Sequence, residues 1–269
     1  MTFKHIYYPE TRYGGFTDID GTIAFYIRVN SLLKPSFVVV DFGCGRGGHR
    51  DDPVQLRREL RILKGKVSKV IGLDIDPTAE QNPFVDEFYL LDSEQWPLQD
   101  NSVDFCTSDA VLEHLEKPDF FFSECRRVLR DEGYLCIRTA NAWSYIALFG
   151  RLVPNRFHAT VLAKVQDKRK EGDVFPTLYK CNTIPRIREM LNKYGFDHVV
   201  YGYEAEPSYL SFSRIAYWVG TMHQKFAPAF LRPAIFAFAQ LCKARLGLQG
   251  GHIAKHRTDE SGRDMFDDE

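Results

Sequence analysis

The chain has 269 residues, enough to bury a sizeable core, and reads as one decorated domain rather than two small ones. Lysine plus arginine number 35 against 36 for aspartate plus glutamate, so no basic field argues for a nucleic-acid partner, and an acidic or neutral small substrate stays open. Six cysteines (Cys44, Cys106, Cys125, Cys136, Cys181 and Cys242) show neither CxxC spacing nor dense clustering, and the first residues lack the basic-then-apolar plan of a signal peptide. Reduced thiols and a cytoplasmic protein are the expectation.

Residues 1–35 form an N-terminal cover rich in aromatics, with turn signals at Gly14-Gly15 and Asp20-Gly21. Helical spacing over 21–33 predicts a helix that either covers a cleft or packs on a sheet. The run Phe37 to Val40 then ends in Asp41 and in four glycines within six residues, Gly43, Gly45, Gly47 and Gly48. That is a buried strand entering a tight turn, where glycine lets backbone approach a ligand closely.

A helix over 53–64 follows, then a second strand over 68–74 that again closes on an acid, Asp74. Strand, helix, strand implies a right-handed parallel crossover. An acid at that strand end suits ribose hydroxyls, which a carboxylate accepts, with Ile75 packing on a base and Asp76 capping the next turn. A third strand over 84–91 runs into Asp92-Ser93, a fourth over 103–107 into Asp109-Ala110, and a fifth over 134–139 toward Asn141. The helix over 118–130 points Phe121, Phe122 and Cys125 inward and turns Arg126, Arg127 and Arg130 to solvent.

Beyond Asn141 the regular pattern stops. Residues 142–182 mix Trp143, Phe175 and Tyr179 with basic residues and turns, which suits an acceptor-binding insertion or lid. Thr183 caps a helix, and 195–201 is a sixth strand. Residues 207–246 form an apolar C-terminal helical extension: 209–218 reads as strand or helix, and 226–242 as a helix that touches the inner membrane surface, forms a homodimer or packs on the core. Residues 247–269 are polar with alternating charges, a disordered tail.

Taken together these phrases resemble the class I S-adenosyl-L-methionine (SAM) dependent methyltransferases over residues 36–206. Asp41-x-Gly43-x-Gly45-x-Gly47 is similar to their first motif and Gly72-Leu-Asp-Ile-Asp76 to their second. Asp92-Ser-Glu-Gln-Trp-Pro-Leu-Gln-Asp100 and Val111-Leu-Glu-His-Leu115 match two further family phrases. The resemblance implies a Rossmann-like α/β sheet with helices on both faces, SAM as cofactor, and methyl transfer to an oxygen or nitrogen of a small molecule, sugar or lipid-linked intermediate. It also implies roles. Asp41 lies near the methionine end, with Gly43, Cys44, Gly45 and Gly47 forming the cofactor turn. Asp74 takes the ribose and Ile75 the adenine, whose amino group Asp92 accepts beside Ser93. Asp109 or Ala110 faces the methionine portion, and Glu113 and His114 face the acceptor, with His114 either a general base or a structural hydrogen-bond partner. Asn141, Trp143, Phe175 and Tyr179 are the acceptor-side candidates. Some quinone O-methyltransferases hold a metal with a Glu three residues before the Glu-His pair; Ala110 stands there, so no metal is expected.

Two other classes fit part of the pattern. Gly43-x-Gly45-x-x-Gly48 also suits a nicotinamide oxidoreductase, which leaves Asp41, Asp92-Ser93 and Glu113-His114 without a role. A non-catalytic SAM-binding scaffold docking through 207–246 is the other.

Overall fold

The computed structural model describes residues 3–92, 95–152 and 176–243. Among them a seven-stranded sheet runs in the order β3-β2-β1-β4-β5-β7-β6. The strands are β1 (Val38–Phe42), β2 (Lys69–Asp74), β3 (Glu87–Leu90), β4 (Val103–Asp109), β5 (Leu129–Ala140), β6 (Phe196–Tyr203) and β7 (Ala234–Leu241). The first five pair in parallel, with Val40 opposite Ile71 on β2 and Cys106 on β4. Their carboxyl ends therefore share one edge. Strand order reverses between β1 and β4, the switch point at which such sheets open a ligand crevice.

Alternation along the strands splits the core in two. Val40 and Phe42 face one layer with Phe121, Phe122 and Cys125 of α4 (Pro118–Val128) and with Ile187, Met190 and Leu191 of α6 (Ile184–Lys193). Val39 and Phe105 face the other, with Phe25 and Val29 of α2 (Gly21–Leu32). The short helices α1 (Phe3–Tyr7), α3 (Gln55–Arg61) and α5 (Tyr145–Leu152) and the longer α7 (Arg214–Phe226) complete the set.

Caps fall where polar side chains reach the first free amides. Asp20 accepts from the Thr22 and Ile23 amides at 2.9 and 3.0 Å, Asp76 from Thr78 at 2.9 Å and Thr183 from Arg186 at 3.4 Å.

Two expectations are corrected. The C-terminal stretch is not wholly a helical extension: α7 is followed by β7, which slots antiparallel between β5 and β6, with Ala237 opposite both Ile137 and Val200. Ile235, Ala237, Ala239 and Leu241 enter one core layer and Phe236 the other. Paired on both sides and covered on both faces, such a strand reads as a continuous apolar run, and its alanines mimic helix propensity. Nor are Arg126 and Arg127 of α4 a solvated face: Arg127 donates to Glu124, Asp100 and the Trp96 and Leu98 carbonyls, and Arg126 to the Tyr194 carbonyl, whereas Arg130, in β5, stays exposed and pairs with Asp104. With Glu124 also accepting from the Trp96 amide at 2.8 Å, this network anchors residues 96–100. Residues 153–175 of the expected insertion and the 247–269 tail lie outside the described residues.

Candidate functional site

The glycine turn is held from beneath. The Gly45 amide donates to Asp74 Oδ2 at 2.8 Å, and Asn82 Nδ2 donates to the Cys44 and Gly45 carbonyls, each at 3.0 Å. Gly43, Gly45 and Gly47 all have positive φ (73°, 54° and 70°), the left-handed region that side chains disfavour. At Gly43 a Cβ would stand 2.2 Å from Val111, so packing demands glycine there; at Gly45 it would meet nothing within 4 Å, so the space above the turn is open.

Asp74 is buried and its Oδ1 accepts from the Asp76 amide at 2.9 Å. Two of a carboxylate's roughly four acceptor sites are thus used and two remain. Ile75 is 62% exposed beside it, Asp92 is exposed just past the end of β3, and Ser93 lies outside the described residues. Burial raises the Cys44 thiol pKa, with Asp41 and Asp74 adding to it, so the thiol stays protonated.

Four charged side chains meet under α2. Arg138 Nε and Nη2 hold the two oxygens of Asp109 at 2.5 and 2.6 Å, and the Tyr26 hydroxyl adds a bond at 3.1 Å. Burial opposes ionisation of Asp109, but the Arg138 charge and hydrogen bonds win and keep its pKa below the usual range. Asp41 is the opposite case: burial, then the charge of Asp109, push it up to about 7 against the pull of Arg61. The helix α2 packs Phe25 on the sheet, and its Tyr26 hydroxyl reaches Asp109 at the end of β4. Ala110 is exposed with φ of 60°, turning the backbone at the end of β4.

On the acceptor side Glu113 is 7% exposed and accepts from Thr139 Oγ1 at 2.7 Å, which in turn accepts from Asn182 Nδ2 at 2.6 Å. The Glu113 carbonyl accepts from the Leu178 and Tyr179 amides at 2.7 and 3.1 Å. His114 Nδ1 lies 2.9 Å from the Pro176 carbonyl; a carbonyl only accepts, so Nδ1 carries the proton and Nε2 is the basic nitrogen of the neutral ring. Among the acceptor-side candidates, Trp143 is exposed with its ring edge-on to Phe230, Tyr179 is partly buried with φ of 53°, and Phe175 lies outside the described residues. Asn141 has a different occupation: 1% exposed, it donates to the Phe230 and Arg232 carbonyls and accepts from the Trp143 amide, which fastens the chain before β7 to the end of β5.

Residues 40–137 match a family model described as a methyltransferase domain. A probable S-adenosylmethionine-dependent methyltransferase of Mycobacterium tuberculosis is 31% identical over 166 residues, 58% of this chain and 56% of that protein. Residues 40–137 thus carry a SAM-dependent methyltransferase domain.

The methyltransferase domain has further relatives. A malonyl-[acyl-carrier protein] O-methyltransferase of Yersinia pestis is 35% identical over 107 residues, 38% of this chain and 36% of that one. A SAM-dependent methyltransferase structure from Archaeoglobus fulgidus shares the fold with a TM-score of 0.51 at 18% identity, covering 86% of this chain and 96% of the other. The chain spans little more than half the length of the mycobacterial relatives it matches. The cofactor of the methyltransferase domain is SAM, and the residues fit it: open space above Gly45 and a carboxylate at Asp41 with no hydrogen bond to any described residue. SAM supplies a methyl group already bonded to a positively charged sulfur. The residues that would hold it are the glycine turn and Asp74 at the adenosine and Asp41 at the amino-acid end.

Sequence reading missed Asn82, Arg138, Thr139 and Asn182. Asn82 and Asn182 carried no local signal, because each acts on backbone or hydroxyls some 40 positions away. Arg138 carried one: a lone cation inside a buried strand needs an anion, and Asp109 at the end of the neighbouring strand was the available one.

Proposed function

We propose that the chain transfers a methyl group from SAM to a hydroxyl oxygen of a small molecule, sugar or lipid-linked intermediate, with His114 as general base. The carrying observation is the His114 tautomer: with Nδ1–H spent on the Pro176 carbonyl, Nε2 is the nitrogen able to take a hydroxyl proton as the oxygen attacks. The new O–CH3 bond forms as the S–CH3 bond breaks, the sulfonium leaves as a neutral thioether, and the proton ends on His114. Alignment in a closed cleft supplies roughly 7 to 11 kcal/mol, and a base roughly 10²- to 10⁴-fold more. The Glu113–Thr139–Asn182 chain holds the turn that carries His114. The test is to incubate labelled SAM with fractionated cell extract and compare the native chain with His114→Ala. The variant is expected to lose at least 100-fold in labelling rate with calorimetric SAM affinity unchanged. Undiminished labelling removes His114 from the base role, and no labelled fraction with the native chain defeats the activity itself.

The reading of a lipid-linked acceptor has its own support. On α7, Ile215, Trp218 and Val219 form an exposed apolar stripe opposite the buried Tyr217 and Thr221, continued by Phe212 and Phe226 and flanked by exposed Arg214 and Lys225. No acid stands on this helix, so apolar and cationic groups together suit the surface of an anionic bilayer, where the chain would sit peripherally on the cytoplasmic side. No helix among the described residues is long and apolar enough to cross a membrane. Truncation would tear β7 from the sheet, so point changes are the better probe. Ile215→Ser with Trp218→Ser is expected to abolish co-sedimentation with phosphatidylserine-containing liposomes without lowering the melting temperature; equal co-sedimentation of native and variant chains would discard the contact.

A further inference from the structure

The carboxyl edge of the sheet continues past β5. Both β5 and β6 pair antiparallel with β7 between them, so β6 runs parallel to β5 and its end at Tyr203 lies on the edge that carries Asp109 and Ala140. Contacts join the two ends. Asp109 is held by Arg138, whose Nη1 donates to Thr22 Oγ1 at 2.9 Å, and neighbouring Gly21 packs so near the chain after β6 that a Cβ on it would stand 3.6 Å from the Ala205 Cβ. Glu204, the first residue past β6, therefore stands on the same edge as the glycine turn and the His114 turn.

Glu204 is 5% exposed, and both of its oxygens lie 2.9 Å from Nδ1 of His223 in the last turn of α7. Burial raises the Glu204 pKa, and the His223 bond is the largest pull back toward the charged form. A carboxylate accepts, so Nδ1 carries the proton and Nε2 is left for another partner. The His223 side chain is 27% exposed, which leaves the ring open to a ligand. Its ring meets that of Tyr145, at the start of α5, edge-on with centroids 5.0 Å apart. Burial, then the Glu204 charge, raises the Tyr145 phenol pKa, so its hydroxyl stays a donor. The Tyr217 hydroxyl of α7 is buried with no partner among the described residues. A tie between α7 and the sheet needs only one nitrogen of His223; a ring oriented by a buried carboxylate, with its second nitrogen open, is built to meet a further group.

We infer that Glu204 and His223 form a second contact for the methyl acceptor, binding a hydroxyl other than the one methylated, so that the acceptor is a polyol of the sugar class. The chemistry selects a hydroxyl. Nε2 accepts in the neutral ring and donates in the charged one, and a hydroxyl answers either, whereas an anionic group would face the Glu204 charge. His223 is thereby an acceptor-binding, specificity-determining residue, and Glu204 positions it. The inference rests on the methyl-transfer reading above and narrows its acceptor; His114 keeps the proton-accepting role at the oxygen that is methylated.

The probe is the cell-extract fraction that the native chain labels from SAM, supplied at increasing concentration. His223→Ala leaves Glu204 buried and unpaired and endangers the fold, so His223→Asn is the decisive variant: its side-chain amide can stand where Nδ1 does and keep the bond to Glu204, while Nε2 is gone. It is expected to raise the half-saturating concentration of the fraction at least tenfold, with the rate at saturation within threefold of native and calorimetric SAM affinity unchanged. His114→Ala should show the opposite split. Treating the fraction with periodate, which cleaves vicinal diols, and then quenching it is expected to abolish labelling by the native chain. A His223→Asn chain with native half-saturation overturns the inference, since a purely structural tie would be rescued by the amide. So does one that loses rate at saturation without a shift in half-saturation, and undiminished labelling of the periodate-treated fraction overturns the polyol class. If the native chain labels no fraction at all, the methyl-transfer reading falls and this inference with it; the other outcomes leave that reading standing.

Discussion

Replacing Gly45 with leucine is expected to weaken SAM binding at least 100-fold while leaving the fold standing. The turn keeps its supports in the variant, since the Gly45 amide still reaches Asp74 and its carbonyl still accepts from Asn82. The added side chain meets no protein atom within 4 Å of its Cβ, so it projects into the space proposed for the cofactor. Holding a non-glycine residue at φ of 54° costs about 1–2 kcal/mol, a few degrees of melting temperature in a chain of this size. A 100-fold loss is about 2.8 kcal/mol of binding, so the two readouts separate. Gly43→Ala makes the contrast: its Cβ would overlap Val111, and that variant is expected to lose stability along with binding. Native calorimetric affinity in Gly45→Leu would mean that the cofactor lies elsewhere.

SAM affinity is also expected to fall as pH drops below 7, by about tenfold for each unit between pH 7 and pH 5. The sign follows from Asp41. Burial and the nearby Asp109 charge push it up to about 7, so the free protein holds this carboxyl half-protonated at neutral pH. An ammonium favours the ionised form, so binding must expel the proton, and the cost of expulsion grows linearly as pH falls. Titrations at pH 7 in buffers of different ionisation enthalpy should reveal about half a proton released. The same shift acts on the free fold. An unfolded aspartate titrates near 3.9, so between about pH 4 and pH 7 the folded state binds more protons than the unfolded one, and this group's contribution to stability is lost as pH rises through that window. The melting-temperature increase produced by SAM should therefore be larger at pH 7.5 than at pH 5.5. A pH-independent affinity over that range would refute the role of Asp41, and Asp41→Asn is expected to remove the pH dependence along with most of the affinity.

Both results depend on features that differ in how far they can be read from the chain. The turn from Val40 to Gly47 is legible because its signals are local: an apolar run needs burial, the acid ends it, and glycines accept the positive φ that follows. The strand end at Asp74 came out where the acid stands for the same reason, while β4 runs two residues past its expected end at Thr107, to Asp109. Cap residues Asp76 and Thr183 were likewise visible, since each serves an amide two or three positions away. Arg126 and Arg127 misled because helical periodicity tells which residues point away from a core, not whether a neighbouring loop or helix covers them. Asn141 misled because its place at a strand end suits ligand and backbone equally, and only the return of the chain at Phe230 and Arg232 decides between them.

By itself, then, the amino-acid order determined the alternation of strand and helix, the glycine turn and the row of acids at successive strand ends, since each arises from stereochemistry within a few residues. Tertiary structure alone decided that β7 is a strand, because its hydrogen-bonding partners are Ile137 and Val200, far away in the chain. It alone decided which acid is neutralised. Asp109 and Asp41 look alike in one dimension, but Arg138 stands across from the first, and no cation among the described residues hydrogen-bonds to the second. Charge pairing falls steeply with distance and strengthens with burial, and both quantities exist only once the sheet has formed.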